Sequence, residues 1–192
     1  LASLDAEEWA FEMKWDGIRV IAEVDGDRCV LRSRSGADLS ATYPELASLP
    51  RALHVDRAVL DGELVAIGAN GAPSFSRLQQ RFGLTRRADV ARAKEVVPAM
   101  YLVFDVLNVD GTDCRALSYE QRRELLIELF DAQPGVPAAV PDAFDGTGEQ
   151  ARQTSRELGL EGLVAKRRRS SYSSGVRSPP RSCRRGARPA EP

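Results

Sequence analysis

Apolar and polar residues alternate from the start of the chain. WAFEMKW (9–15) and IRVIAEVD (18–25) have the period of two expected of half-buried strands, and Asp25-Gly26 is a hairpin signal leading into RCVLRSR (28–34). These segments predict a strand meander. YPELASLPRAL (43–53), opened by Thr42, predicts a short helical segment, and AVLDGELVAI (58–67) a strand that ends at the loop GANG. SFSRLQQRFG (74–83) and TRRADVARAKEVV (85–97) have polar-rich helical patterns with Gly83 as a stop between them. The dense apolar run AMYLVFDVLNV (99–109) predicts a central strand, closed by a turn over Asn108 to Gly111. SYEQRRELLIELF (118–130) starts on a serine and spaces its leucines as one helix face, which makes it the clearest helix. After a Pro-rich connection, GEQARQTSRELGL (148–160) predicts a last helix ending near Gly159, and EGLVAKR (161–167) a last strand. No repeat is visible. Strands and helices interleave without a regular βαβ period, so the fold class expected is α+β with largely antiparallel sheets.

Composition narrows this picture. With 192 residues, 43% hydrophobic and 29% charged, the chain suits one main globular unit and excludes wholesale disorder. No apolar run approaches the roughly 20 residues of a membrane span, and the first residues have no export signal, so no membrane association is expected. Three scattered cysteines, Cys29, Cys114 and Cys183, argue against a disulfide framework or zinc site and for a reduced, cytoplasmic setting. The net charge of -1 hides an asymmetry: residues 166–192 hold nine Lys and Arg against the single acid Glu191. From residue 168 onward the chain is Ser-, Pro-, Gly- and Arg-rich. It has little apolar surface to offset its chain entropy, which predicts a disordered or divergent tail. Only three of the 27 cations are lysines, Lys14, Lys94 and Lys166. Where arginine serves as the generic positive charge, a lysine in an apolar context suggests an amine that can lose its proton.

Lys14 alternates with Met13 and Trp15 beside the turn residues Asp16 and Gly17, which puts Glu12, Lys14 and Asp16 on one side of a strand. An amine partly withdrawn from water and near other cations is a usable nucleophile. The plainer alternative is a surface lysine near a hairpin. The lone His54 reads as an ordinary helix or loop residue.

The string Glu12-Met-Lys-Trp-Asp-Gly-Ile-Arg19 contains a Lys-x-Asp-Gly-x-x-Arg signature, followed in order by SRSG (33–36), LDGELVA (60–66), YLVFDVL (101–107) and EGLVAKR (161–167). Together these strings resemble the nucleotidyltransferase superfamily of ATP-dependent DNA ligases, RNA ligases and capping enzymes. The resemblance is greatest to the adenylation domains of bacterial end-joining DNA ligases. It implies an α+β nucleotidyltransferase, or ATP-grasp-like, adenylation domain over residues 1–167, with mainly antiparallel sheets enclosing the nucleotide.

It further implies that Lys14 attacks the α-phosphorus of ATP to form lysyl-AMP, which is then passed to a DNA 5′-phosphate at a nick or break during repair. Glu12 would recognise adenine, and Arg19 and Arg34 would contact the nucleotide or the DNA end. Glu63 would lie by the ribose and metal, Phe104 would stack on the base, Glu161 would help hold the metal, and Lys166 would contact phosphate. ATP and Mg²⁺ (or Mn²⁺) are the cofactors implied. The partners implied are nicked or broken duplex DNA and fused or associated end-joining proteins, with the chain itself a monomer. One or two carboxylates suffice for Mg²⁺, because phosphates and water supply its remaining ligands. Glu63 and Glu161 also read as exposed carboxylates, Phe104 as core and Arg34 as a solvated hairpin residue.

The resemblance weakens after Tyr172. Gly175, Val176, Arg177 and Ser178 fit, and the resemblance implies a nucleotide-contact role for Arg177, but Arg181 stands where the resembling ligases have Trp and Cys183 where they have the first of two lysines. A shifted reading frame or a divergent end is therefore expected. The chain starts without Met and has no room for an OB-fold domain, so a fragment at both ends is expected. Two other readings stay open: a ligase acting on RNA, and an impaired remnant that binds nucleotides or DNA ends.

Overall fold

The computed structural model describes residues 4–68, 71–173 and 181–184. Its strands are β1 (Trp9–Lys14), β2 (Ile18–Asp25), β3 (Arg28–Ser33), β4 (Arg57–Ala66), β5 (Ala99–Val109), β6 (Thr112–Asp113), β7 (Ala138–Ala139), β8 (Gly162–Arg167) and β9 (Arg181–Arg184). The α-helices are α1 (Phe75–Gln79), α2 (Arg87–Val96), α3 (Tyr119–Leu129) and α4 (Gly148–Glu157), and Pro44–Ala52 forms a 3-10 helix. Strands β3-β2-β4-β5-β6 make one sheet, with β7 added in parallel to β5, and β1-β8-β9 make a second. The two-sheet α+β fold agrees with the expectation from sequence.

Local signals explain most elements. The β2–β3 hairpin turns at Gly26, whose φ of 55° is the left-handed conformation glycine adopts at little cost. Helices α3 and α4 both start with a capping box, Ser118 with Gln121 and Thr147 with Gln150, which satisfies backbone N–H groups left free in the first turn. The main core packs Val20, Ala22, Leu60, Leu64, Val103 and Val106 from the larger sheet against Leu46 and Leu49 of the 3-10 helix and Leu126 of α3. A second, smaller cluster joins Phe11, Leu163 and Ala165 to Ala151 of α4.

Three expectations need correction. First, β1 does not continue into a meander with β2. It pairs antiparallel with β8, Trp9 opposite Arg167 and Lys14 opposite Gly162. The chain crosses between sheets at Gly17, where a Cβ would collide with the Leu64 carbonyl oxygen, so a close backbone approach replaces a hairpin. Second, the first of the two central helices shrinks to one turn, α1, capped by Ser74. Turns follow it because Arg81 is wholly buried, paired with Glu45 and donating to the carbonyls of Val97 (3.2 Å) and Thr42 (2.5 Å).

Third, ordered structure continues past residue 167. The Arg168 backbone donates to Glu8 O and its side chain to Ala6 O, the Tyr172 backbone donates to Arg115 O, and β9 pairs with β8 with Arg181 opposite Ala165 and Cys183 opposite Leu163. Hydrogen bonding and strand addition order these residues without the apolar burial that their composition lacks. Arg177 lies outside the described residues. Among the described residues no helix is long and apolar enough to cross a membrane.

Candidate active site between the two sheets

The sheets face each other across a cleft of about 940 Å³. Alternation on β1 and β8 sends Phe11, Leu163 and Ala165 into the small core, while Glu12, Lys14, Val164 and Lys166 line the cleft. The opposite wall presents Arg19 of β2, Glu63 of β4 and Phe104 of β5. Arg19 and Glu63 are direct cross-strand partners. Phe104 is the extra residue of a bulge, between Val103 opposite Gly62 and Asp105 opposite Asp61. A bulge re-aims a side chain within an otherwise regular strand, and here it turns an aromatic ring out of an apolar run into the cleft. Gly62 leaves room for Tyr101 to lie across β4, its hydroxyl near the carbonyls of Val20 (2.8 Å) and Leu60 (3.1 Å).

Polar contacts divide the cleft into two ends. At one end the Lys14 amine pairs with Glu161, and Glu63 lies close enough to feel both Lys14 and Arg19. The described contacts of this amine are thus acidic, in contrast to the neighbouring cations expected from sequence. Burial raises the Glu63 carboxyl to about 7, an effect that Arg19 and Lys14 only partly offset. At the other end Glu12, 7% exposed, accepts from the Tyr119 hydroxyl at 2.6 Å and pairs with Lys166 at 2.7 Å. The Lys166 amine also lies 4.6 Å from the Phe104 ring centre and 5.0 Å from that of Tyr119. Along the β1–β8 ladder, Lys14 and the partner of Lys166, Ala10, are four residues apart, about 13 Å at strand rise.

Arg19 is held by residues that sequence reasoning missed. Fully buried Asp61 accepts its guanidinium at both oxygens, 3.0 and 2.5 Å, and the Tyr172 hydroxyl lies 3.1 Å from Arg19 and 2.8 Å from Asp61. Asp61 keeps the Arg19 guanidinium protonated, raising it above its ordinary value despite partial burial. Arg122 of α3, paired with Asp105 at 2.7 Å, lies 5.8 Å from the Tyr172 ring centre and completes this wall. Two signals for these residues were in view, the Asp in LDGELVA and the arginines in SYEQRRELLIELF. Tyr172 carried no pattern at all.

Of the residues singled out from sequence, the structure brings together Glu12, Lys14, Arg19, Glu63, Phe104, Glu161 and Lys166. Arg34 is not among them; it is exposed beyond the end of β3 and does not line the cleft. His54 is an exposed loop residue. Among the described residues no three His, Cys, Asp or Glu side chains form a metal-binding group. Glu63 and Glu161 fit a hard cation that keeps water and takes phosphate oxygens as its other ligands.

A model of the ATP dependent DNA ligase domain matches residues 1–180. The chain belongs to this family. The multifunctional end-joining DNA repair protein LigD of Mycobacterium tuberculosis is 41% identical to this ligase domain over 177 residues, 92% of the chain and 21% of the relative. A probable DNA ligase of Streptomyces griseus is 38% identical over 174 residues, 88% of the chain and 34% of the relative. Among solved structures, mycobacterial DNA ligase D complexed with ATP and MES superposes with a TM-score of 0.74 at 38% identity, over 91% of this chain and 53% of that one. The ligase domain of M. tuberculosis LigD superposes at 0.73. This chain thus spans about a fifth of the length of the LigD relatives. The fold is that of a nucleotidyltransferase adenylation domain.

Proposed function

We propose that this chain is the adenylation domain of a DNA ligase, with Lys14 as nucleophile. The observation that carries this reading is the placement of one lysine, Lys14, paired with Glu161 and within electrostatic reach of Glu63 at one end of the cleft, with Phe104 and a carboxylate at the other. ATP would lie with its base near Phe104, Val164 and Glu12 and its phosphates near Lys14 and Arg19. The Nζ–P bond then forms at the α-phosphorus, the bond to the β-phosphate oxygen breaks, pyrophosphate leaves, and the amine gives up a proton. Bidentate anchoring of Arg19 on Asp61 holds a permanent cation beside the phosphates, where negative charge develops.

When bound between Glu63 and Glu161, Mg²⁺ or Mn²⁺ would neutralise phosphate charge. Glu161 would exchange its pairing with Lys14 for that role, freeing the amine. Lys166 supports the base end in this reading, since its charge is placed on Glu12 and over Phe104, in place of the phosphate contact inferred from sequence. AMP would then pass to the 5′-phosphate of a nick or break in duplex DNA. A role in end joining rests on the LigD relatives, which are named for it.

A second reading, nucleotide binding with slow transfer, is favoured by Arg181 and Cys183 at positions where the family has Trp and Lys. Loss of one charge-stabilising donor costs about 10²- to 10³-fold in rate. Incubation with radiolabelled ATP or GTP and Mg²⁺ tests both. Covalent AMP supports the adenylation reading, and labelling accelerated about 10²-fold or more by R181W/C183K supports slow transfer in the natural chain. Labelling by GTP alone, or none in either form despite tight ATP binding, contradicts nucleotidyl transfer to Lys14 from ATP.

A further inference from the structure

We propose that Tyr119 and Lys166 are positioning residues for Glu12, and that their grip on its carboxylate sets the preference for adenine over guanine nucleotides. This rests on the base-end assignment made above. A carboxylate can meet guanine through two parallel acceptor bonds, to N1–H and the 2-amino group, as it meets the forked guanidinium of arginine. Adenine offers a single donor group on that edge, its 6-amino. Which base a carboxylate favours therefore depends on whether both of its oxygens are free and how its plane is held.

In this cleft each oxygen already has one partner. Oε1 accepts from the Tyr119 hydroxyl at 2.6 Å and Oε2 pairs with the Lys166 amine at 2.7 Å. The Tyr119 hydroxyl is held well above its ordinary value, first by burial and then by Glu12 itself, so it stays a donor. Tyr119 is the first residue of α3, and the capping box of Ser118 and Gln121 fixes that helix start. Lys166 is fixed by β8 pairing opposite Ala10 and by a bond to the Phe104 carbonyl at 3.4 Å. Two donors from separate elements thus lock the plane of Glu12 and use one acceptor site on each oxygen. With its plane fixed by α3 and β8, Glu12 does not turn into the coplanar two-point contact that the N1–H and 2-amino group of guanine require, whereas a bond from the adenine 6-amino needs only one remaining acceptor site.

Calorimetric titration of this chain with the α,β-methylene analogues of ATP and GTP, which bind without losing pyrophosphate, tests the proposal. Tyr119→Phe removes only the hydroxyl and keeps the ring beneath Lys166. It should weaken the adenine analogue about tenfold, the scale of one hydrogen bond to a charged group, with a smaller loss or a gain for the guanine analogue. Lys166→Met should lower the adenine-to-guanine ratio likewise, and Lys166→Arg should recover part of it. Equal losses for both analogues in Tyr119→Phe and Lys166→Met would overturn the proposal, because a merely structural defect lowers both alike. Glu12→Ala separates the two levels. If it removes the preference while Tyr119→Phe and Lys166→Met keep it, only the positioning role falls. If it leaves the preference intact, the base-end assignment of Glu12 falls and the proposal with it.

Discussion

The two sheets that form the cleft are assembled by different rules. The larger one is built mainly from neighbours in sequence: β2 and β3 form a hairpin, and β4 and β5 follow with one face in the main core. The smaller one joins β1, near the start of the chain, to β8, which comes some 150 residues later, and rests on a core of a few residues. Charge is distributed accordingly. Behind the larger sheet, Arg81 is sealed against Glu45 with the Tyr43 ring 4.5 Å from its guanidinium carbon, and it does not line the cleft. On the smaller sheet Lys14, Glu12 and Lys166 are paired but face the cleft. One buried ion network holds secondary structure together, and the other lines the cleft.

Substitutions that separate these two kinds of charge sharpen the contrast. The largest effect is expected for Lys14→Arg, which keeps the charge but replaces the amine with a guanidinium, a poor nucleophile. Covalent AMP should fall by several orders of magnitude, as when other enzymatic nucleophiles are removed, with an unchanged circular-dichroism melt. Next, Arg81→Met should lower unfolding free energy by about 3–5 kcal/mol, because it strands Glu45 in the interior. Nucleotide affinity of the folded fraction should be unaffected, and a selective loss of affinity would erase the distinction between the two networks.

Phe104→Ala should weaken ATP binding by about 1–3 kcal/mol, the worth of base stacking on an aromatic ring. A melt that drops by several kcal/mol with affinity unchanged would return Phe104 to the core. The smallest effect concerns Glu63. Its folded value of about 7 lies above the ordinary 4.5, so the folded protein holds a proton there that the unfolded chain has released. Stability from this group is complete below pH 4.5 and is lost as pH rises through about 7. With a chelator present, Glu63→Gln should therefore stabilise at pH 8 by about 1–2 kcal/mol relative to its effect at pH 4. An equal effect at both pH values would show that Glu63 is not desolvated.

What the sequence disclosed follows the same division. The strands of the larger sheet and the helices α3 and α4 were legible because alternation, turn residues and caps are local signals. The motif strings led to Lys14, Glu63 and Phe104, although the bulge that aims Phe104 is invisible in AMYLVFDVLNV. The pairing of β1 with β8 was not legible, because no local pattern names a partner so distant. In the sequence Arg81 reads as a polar helix residue, since burial of a charge depends on partners, Glu45 among them, that only the fold supplies. Tyr172 fell in a stretch judged by composition, which registers apolar content but not the hydrogen bonds linking it to Arg19, Asp61 and Arg115.

In the proposed reaction the smaller sheet would carry the nucleophile and the larger sheet would complete the site around it. Peptide mapping by mass spectrometry after incubation with ATP and Mg²⁺ tests it most directly. One AMP per chain is expected, on the peptide containing Lys14, lost in acid and stable in base as a phosphoramidate should be. The yield should fall when Arg19 or Asp61 on the opposite sheet is replaced by alanine. AMP on Lys94 or Lys166, or a yield indifferent to Arg19 and Asp61, would contradict this arrangement.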